Sequence, residues 1–167
     1  MLIRPLRVDD AEAHLALRQR ALREEPMAFL SSPEDDVART VDAVRAQLRR
    51  APEEAVVFGA FAAELIGIVG LHRDHHRKAA HKVHLWGMYV APAHRRQGVA
   101  ASLLGAALAH ARSLPGVAWA HLSVSESAPA ARRVYERAGF QLWGSEPDAL
   151  RHAGRTAVEH HLAIRLD

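Results

Sequence analysis

The chain has no cysteine among its 167 residues, which removes a disulfide framework, a thiolate metal site and a cysteine nucleophile together. It has no apolar run of about 18 residues, so no membrane-spanning helix is expected. Its start, MLIRPLRVDDAE, carries acids where a secretory leader needs an apolar stretch, and a cytoplasmic location is the expectation. Phosphate-binding GxxxxGK[ST] and GxGxxG motifs are missing, as are the GxSxG elbow of serine hydrolases and the HExxH of zinc peptidases. Charge of one sign is not concentrated either. The formal net charge is +3, and arginines stand beside acids along most of the chain, which argues against a nucleic-acid interface.

What is present suits one compact domain over 1–167: 49% apolar residues, 25% charged and only 8 prolines. Leu2 to Val8 reads as a short strand, and Asp9 or Asp10 caps a helix running to about Glu25, before Pro26. Ser32, Pro33, Glu34 and Asp35 form a start signal for a second helix reaching about Arg50. The period then changes. Residues 55–63, 65–73 and 81–90 are short β-branched and apolar runs, the first two joined at Glu64 as a hairpin. A helix over about 98–113 ends before Pro115-Gly116. A strand over about 117–124 and a helix over about 129–138 follow, the latter stopped by Gly139. FQLWGSE and TAVEHHLAIRL close the chain as two strands. This order predicts an α/β fold, a mixed sheet with helices on its faces.

The stretch AHRRQGVAASLLGAAL (93–108) passes from cations to an apolar helix within one residue. The first turn of a helix offers unpaired backbone N–H groups and the positive end of the dipole. Gly98 lets backbone approach a ligand, Ala100 keeps the surface small, and Arg95 and Arg96 add charge suited to phosphate oxygens. An anion site is therefore expected here.

Arg95, Gly98 and Ala100 also fit the pattern [QR]-x-x-G-x-[GA], which resembles the pyrophosphate turn of the GCN5-related N-acetyltransferase (GNAT) superfamily. The preceding MYVAP is similar to the strand that pairs with pantetheine in that family. APAARRVYERAGF (128–140) resembles its N-x-x-A-x-x-L-Y-x-x-x-G-F signature, with Ala131, Val134, Tyr135, Gly139 and Phe140 in register. The resemblance is densest over 84–143 and agrees in element order elsewhere. It implies a mostly antiparallel twisted sheet of about seven strands with about four helices, splayed at the central strands. It also implies acetyl-CoA as co-substrate, held by Met88, Tyr89, Val90, Arg95, Arg96, Gln97, Gly98, Val99, Ala100, Ala101 and Tyr135. Two positions depart from the pattern. Arg96 stands where many members have glycine, and Ala128 replaces the signature asparagine, leaving Ser127 to cap the helix or the helix uncapped.

The implied reaction is direct acetyl transfer to a primary amine, since neither a cysteine nor a serine elbow offers an acyl-enzyme. Tyr135 is the candidate acid, because a phenol with a reference pKa near ~10 can protonate a departing thiolate. His84 is the first candidate base, on one strand face with Trp86 and Met88, although a merely hydrogen-bonded strand histidine fits as well; Glu126 is the second. His72, His75, His76, His81 and His84 cluster without cysteine or carboxylate spacing, so they read as a solvated loop and no metal is expected. Residues 23–39 and Trp86 and Trp143 are candidate walls for the acceptor. A small molecule is the favoured acceptor, with a peptide amine as the other. A non-catalytic acyl-CoA-binding domain is the rival reading. Dimers are common in the superfamily, so a homodimer is admitted, and the sequence leaves oligomeric state open.

Overall fold

A computed structural model describes residues 1–166. Seven strands form one sheet in the order β1-β2-β3-β4-β5-β7-β6. They are β1 (Leu2–Pro5), β2 (Ala55–Phe61), β3 (Leu65–Arg73), β4 (Lys82–Val90), β5 (Trp119–Ser125), β6 (Gln141–His152) and β7 (Arg155–Arg165). The helices are α1 (Ala11–Glu24), α2 (Val41–Leu48), α3 (Val99–Ser113) and α4 (Pro129–Arg137). Every neighbouring pair is antiparallel except β4 and β5, which run parallel because α3 carries the chain across between them.

Alternation along the strands gives the sheet two apolar faces. Phe58, Val69, Leu71, Leu85 and Leu122 point to one side and pack with α3. On α3 the buried residues Val99, Leu103, Leu104, Ala107, Leu108 and Ala111 recur at helical spacing, a continuous stripe toward the sheet. Leu103 is wholly buried, and its truncation to alanine would cost roughly 2–5 kcal/mol. On the other face Val57, Ile68 and Tyr89 meet Leu17 and Ala21 of α1. The site lies where this two-sided packing is interrupted.

Three elements differ from the sequence expectation. The helix expected from Ser32 begins only at Val41, where Thr40 Oγ1 accepts from Ala43 N at 3.2 Å. The start signal at Ser32 does operate, since its N–H donates to Asp35 Oδ1 at 2.6 Å. One turn later, however, Asp36 is drawn inward to Arg18, and the chain leaves the helical path. β1 stops at Pro5 rather than Val8, because Asp10 accepts from Arg7 N and grips Arg4, which forces a short 3-10 turn before α1. β6 continues past Glu146 to His152 through a bulge that absorbs Pro147, and turns back at Ala153-Gly154 with φ of 48° and 75°.

Candidate active site

β4 and β5 pair only from Lys82↔Trp119 to His84↔His121, although β4 runs on to Val90 and β5 to Ser125. Beyond the histidines the strands part and leave backbone edges free for another chain-like group. The cause lies in β4. Gly87 has φ of 64°, and the β3–β4 register slips between the Gly70↔Trp86 and Ile68↔Tyr89 pairs. This bulge reverses which side chains face which side. Leu85, Trp86 and Gly87 border a cavity of about 520 Å³ beside α1 and α2, and Met88, Tyr89 and Val90 border another of about 720 Å³ between α3 and α4. Ala28 and Phe29 border both.

The larger cavity is floored by the turn that opens α3. Arg96 and Gly98 both hold positive φ, 61° and 79°, which curls the backbone so that successive N–H groups converge. A Cβ on Gly98 would meet no atom within 4 Å, so conformation, and open space for a ligand, set that glycine. All the sequence-named cofactor positions line this cavity except Gln97, whose amide donates to Ala93 O. Arg95 is engaged within the protein. Its Nε donates to Val90 O at 2.9 Å, its Nη1 to Glu25 Oε1 at 3.0 Å, and it lies over the Tyr89 ring. Arg133 and Arg137, one turn apart on α4, add charge the sequence reading missed; their i, i+4 spacing in RRVYER was the available signal. A cavity with this volume, cationic rim and free helix start fits a nucleotide pyrophosphate thioester.

Tyr135 projects from α4 into the same cavity, 7% exposed, and its hydroxyl has no partner among the described residues. Burial pushes the phenol well above its ordinary range, so it stays protonated at neutral pH. Ser127 does not cap α4. Its hydroxyl donates to Met27 O at 2.8 Å and meets Ser125 Oγ, and the N-cap Ala128 provides no side-chain bond. Ser127 instead ties the loop after α1 to the end of β5.

The two candidate bases lie apart from each other. Glu126 Oε1 accepts from Val158 N at 2.7 Å, so one of its carboxylate oxygens joins β5 to β7. His84 lies between His72, stacked at 5.1 Å between ring centroids, and His121, tilted by 40° at 5.7 Å. Burial lowers the His84 pKa, partly offset by Asp74, whose Oδ2 is 3.9 Å from Nε2. His72, rather than His84, borders the smaller cavity. Glu159 of β7, which no motif marked, borders it too, with Ser123 of β5. Burial raises the Glu159 carboxyl above its usual range, His161 opposes that, and Glu146 adds to it. Trp143 packs against His121 and His161 at the far end of this strip.

A parallel pair opened by a bulge, with a cationic helix start on one side and a second pocket on the other, is the arrangement of an acyl-CoA-dependent transferase. The model of the GNAT acetyltransferase family matches residues 16–140, and the chain belongs to that family. No functionally curated protein matches it in sequence. Among solved structures, yncA of Salmonella typhimurium, which holds its cofactor acetyl-CoA, superposes with a TM-score of 0.87 at 20% identity. That match covers 100% of this chain and 94% of the other. The ribosomal-protein-alanine N-acetyltransferase of Brucella melitensis gives 0.83 at 19%, with 99% of each chain covered. Smu.2055 of Streptococcus mutans UA159 gives 0.85 at 18% over the full length of both. The protein is thus an N-acetyltransferase with acetyl-CoA as co-substrate. No helix among the described residues is long and apolar enough to cross a membrane.

Proposed function

We infer that the chain acetylates the primary amine of a small molecule by direct transfer. The observation that carries this reading is the division of β4 at Gly87, which gives donor and acceptor separate cavities meeting at one opened strand pair. The acceptor side is a pocket of about 520 Å³ walled by α1, α2 and the loop after α1, a size for a small molecule.

When bound, acetyl-CoA supplies the thioester acetyl group. The amides of Val99, Ala100 and Ala101 and the cations of the turn and α4 hold its phosphates, and the free edge of β4 aligns its arm. Tyr135 Oη gives a proton to the sulfur that departs. On the acceptor side Glu159 takes the ammonium proton, directly or through one water; its pocket-facing carboxylate favours it over Glu126, and His84 reaches the pocket only behind His72. The test is release of free CoA thiol from acetyl-CoA over a panel of small amines and N-terminal peptides. Turnover of a small amine with acetyl-amine product supports the reading. Tight acetyl-CoA binding without thiol release for any amine would make the chain a non-catalytic acyl-CoA-binding domain, and turnover confined to peptides would replace the small acceptor.

A further inference from the structure

The acceptor pocket carries two polar atoms that its own fold leaves unpaired. Arg18 is 7% exposed. Its Nε and Nη2 grip Asp36 at 3.1 and 2.9 Å, while Nη1 is buried with no hydrogen-bond partner among the described residues. Gln47 Oε1 on α2 is likewise buried and unpaired, and both residues line the pocket. A buried donor left without an acceptor is costly, and native structures seldom leave one without a use. The Asp36 clamp fixes the guanidinium so that its third nitrogen is directed toward Gly87, where an added Cβ would sit 3.5 Å from Nη1. That is the point at which the two cavities adjoin. Gln47 can rotate its amide to present N–H to the same guest.

The rest of the lining balances this donor. Its ionised groups are Arg18 and Arg50 against Asp36 and Glu159, two of each sign, and His72 is held toward neutrality by burial. A polycationic acceptor would find no excess of negative charge there. A dipolar one finds a carboxylate, Glu159, for its ammonium and a rigid N–H donor, Arg18 Nη1, for an oxygen anion. Resting on the reading of the chain as an amine acetyltransferase, we propose that its acceptor is an aminocarboxylate, bound with its carboxylate on Arg18 Nη1 and its amine toward Glu159.

The test compares matched acceptors in the full-length enzyme. Free amino acids, including β- and γ-amino acids, are set against their carboxamides, their decarboxylated amines and a polyamine, by thiol release. The expected result is a kcat/KM at least tenfold higher for a free acid than for its amide or its decarboxylated partner. Calorimetric titration of the preferred acid into enzyme saturated with CoA should show binding that the amide lacks. Because removing Arg18 alone strands Asp36, the variant is the double replacement Arg18→Met with Asp36→Leu, which keeps the volume apolar. It should retain acetyl-CoA binding and lose the preference for the acid. Amides, plain amines or polyamines turned over as well as the acids, or a double variant that keeps the preference, would overturn the proposal while leaving the acetyltransferase intact. If acetyl-CoA binds and no amine of any kind is acetylated, both readings fall together.

Discussion

The indole of Trp86 lies on the bare backbone of Gly70 across β3 and β4. A Cβ added to Gly70 would meet Trp86 Cδ2 at 2.6 Å, and the two residues are register partners. Trp86 also walls the acceptor pocket immediately before the Gly87 bulge. Gly70→Ala must therefore push the ring into the pocket or swing it away. The expected outcome is a loss of roughly tenfold or more in kcat/KM for the acceptor, since a ~1 Å misplacement near reacting groups costs about that or more. Acetyl-CoA affinity, measured by calorimetry, should stay within about twofold, because its cavity begins at Met88.

Tyr135→Phe removes one oxygen from a ring that remains packed against Phe140 at 6.0 Å between centroids. Fold and acetyl-CoA binding should persist, because the hydroxyl has no partner within the described chain to lose. Steady-state turnover should fall roughly tenfold or more, the usual scale for a positioned acid. Unchanged turnover would take Tyr135 out of the proton transfer.

The parts of this site that were legible in the sequence are those built from consecutive residues. RRQGVAA places its cations and open helix start within one turn of chain, and the VYERAGF segment places Tyr135 on the same cavity by helical spacing alone. Arg18 and Glu159 meet only when α1 and β7 are brought to the same pocket, and nothing in ALRQRAL or VEHHL marks either one. The failure at Ser32 has the same origin. The local start signal there was real, but the ion pair of Asp36 with Arg18, 18 positions away in sequence, outweighed continued helix. The Val158 amide that Glu126 holds lies 32 residues on, equally beyond the reach of a local pattern.

Glu25 stands between Arg95 and the donor it is expected to meet. Its carboxylate takes Arg95 Nη1 at 3.0 Å, and it is an acid lining a cavity otherwise bordered by His94, Arg96, Arg133 and Arg137. Replacing it with glutamine removes a negative charge from the path of a polyanion and loosens Arg95. Glu25→Gln should bind acetyl-CoA about threefold or more tightly, with a weaker salt dependence of the gain above ~0.15 M, where screening shortens to about 8 Å. Arg95→Ala should move affinity the other way. It would also free the Val90 carbonyl, so a loss larger than charge alone explains would show in variants compared at high salt.

Glu159 must be ionised to accept a proton, and burial holds its carboxyl above the ordinary range, with Glu146 reinforcing and His161 opposing. The acidic limb of kcat/KM should accordingly fall at a pH higher than an exposed carboxylate would give. Glu159→Gln should lower kcat/KM by roughly 10²-fold and remove that limb. A limb that survives the substitution would assign it to the His72 and His84 pair, whose pKa values burial lowers.

Stability carries its own pH signature in His14. The ring is 1% exposed, neither nitrogen has a partner among the described residues, and its pKa is lowered to about 4 by burial, helped by Arg18 and opposed by Asp36. Unfolded, the same histidine titrates near its ordinary value of 6.5. Between these values the unfolded chain binds the proton and the folded chain refuses it, so stability falls as pH drops from 6.5 toward 4. The shift corresponds to roughly 3 kcal/mol by the bottom of that window. Asp10 and Asp36, whose carboxyls are held low by Arg4 and Arg18, add acid lability of the same sign, though mostly below it. The separation is made with His14→Leu, a replacement of similar bulk that leaves no buried polar atom. Urea unfolding at pH 7 and pH 4.5 should show a smaller loss in the variant by about 2–3 kcal/mol. Equal losses in both proteins would mean that His14 takes up its proton without unfolding, and that the pocket behind Arg18 opens to water at low pH.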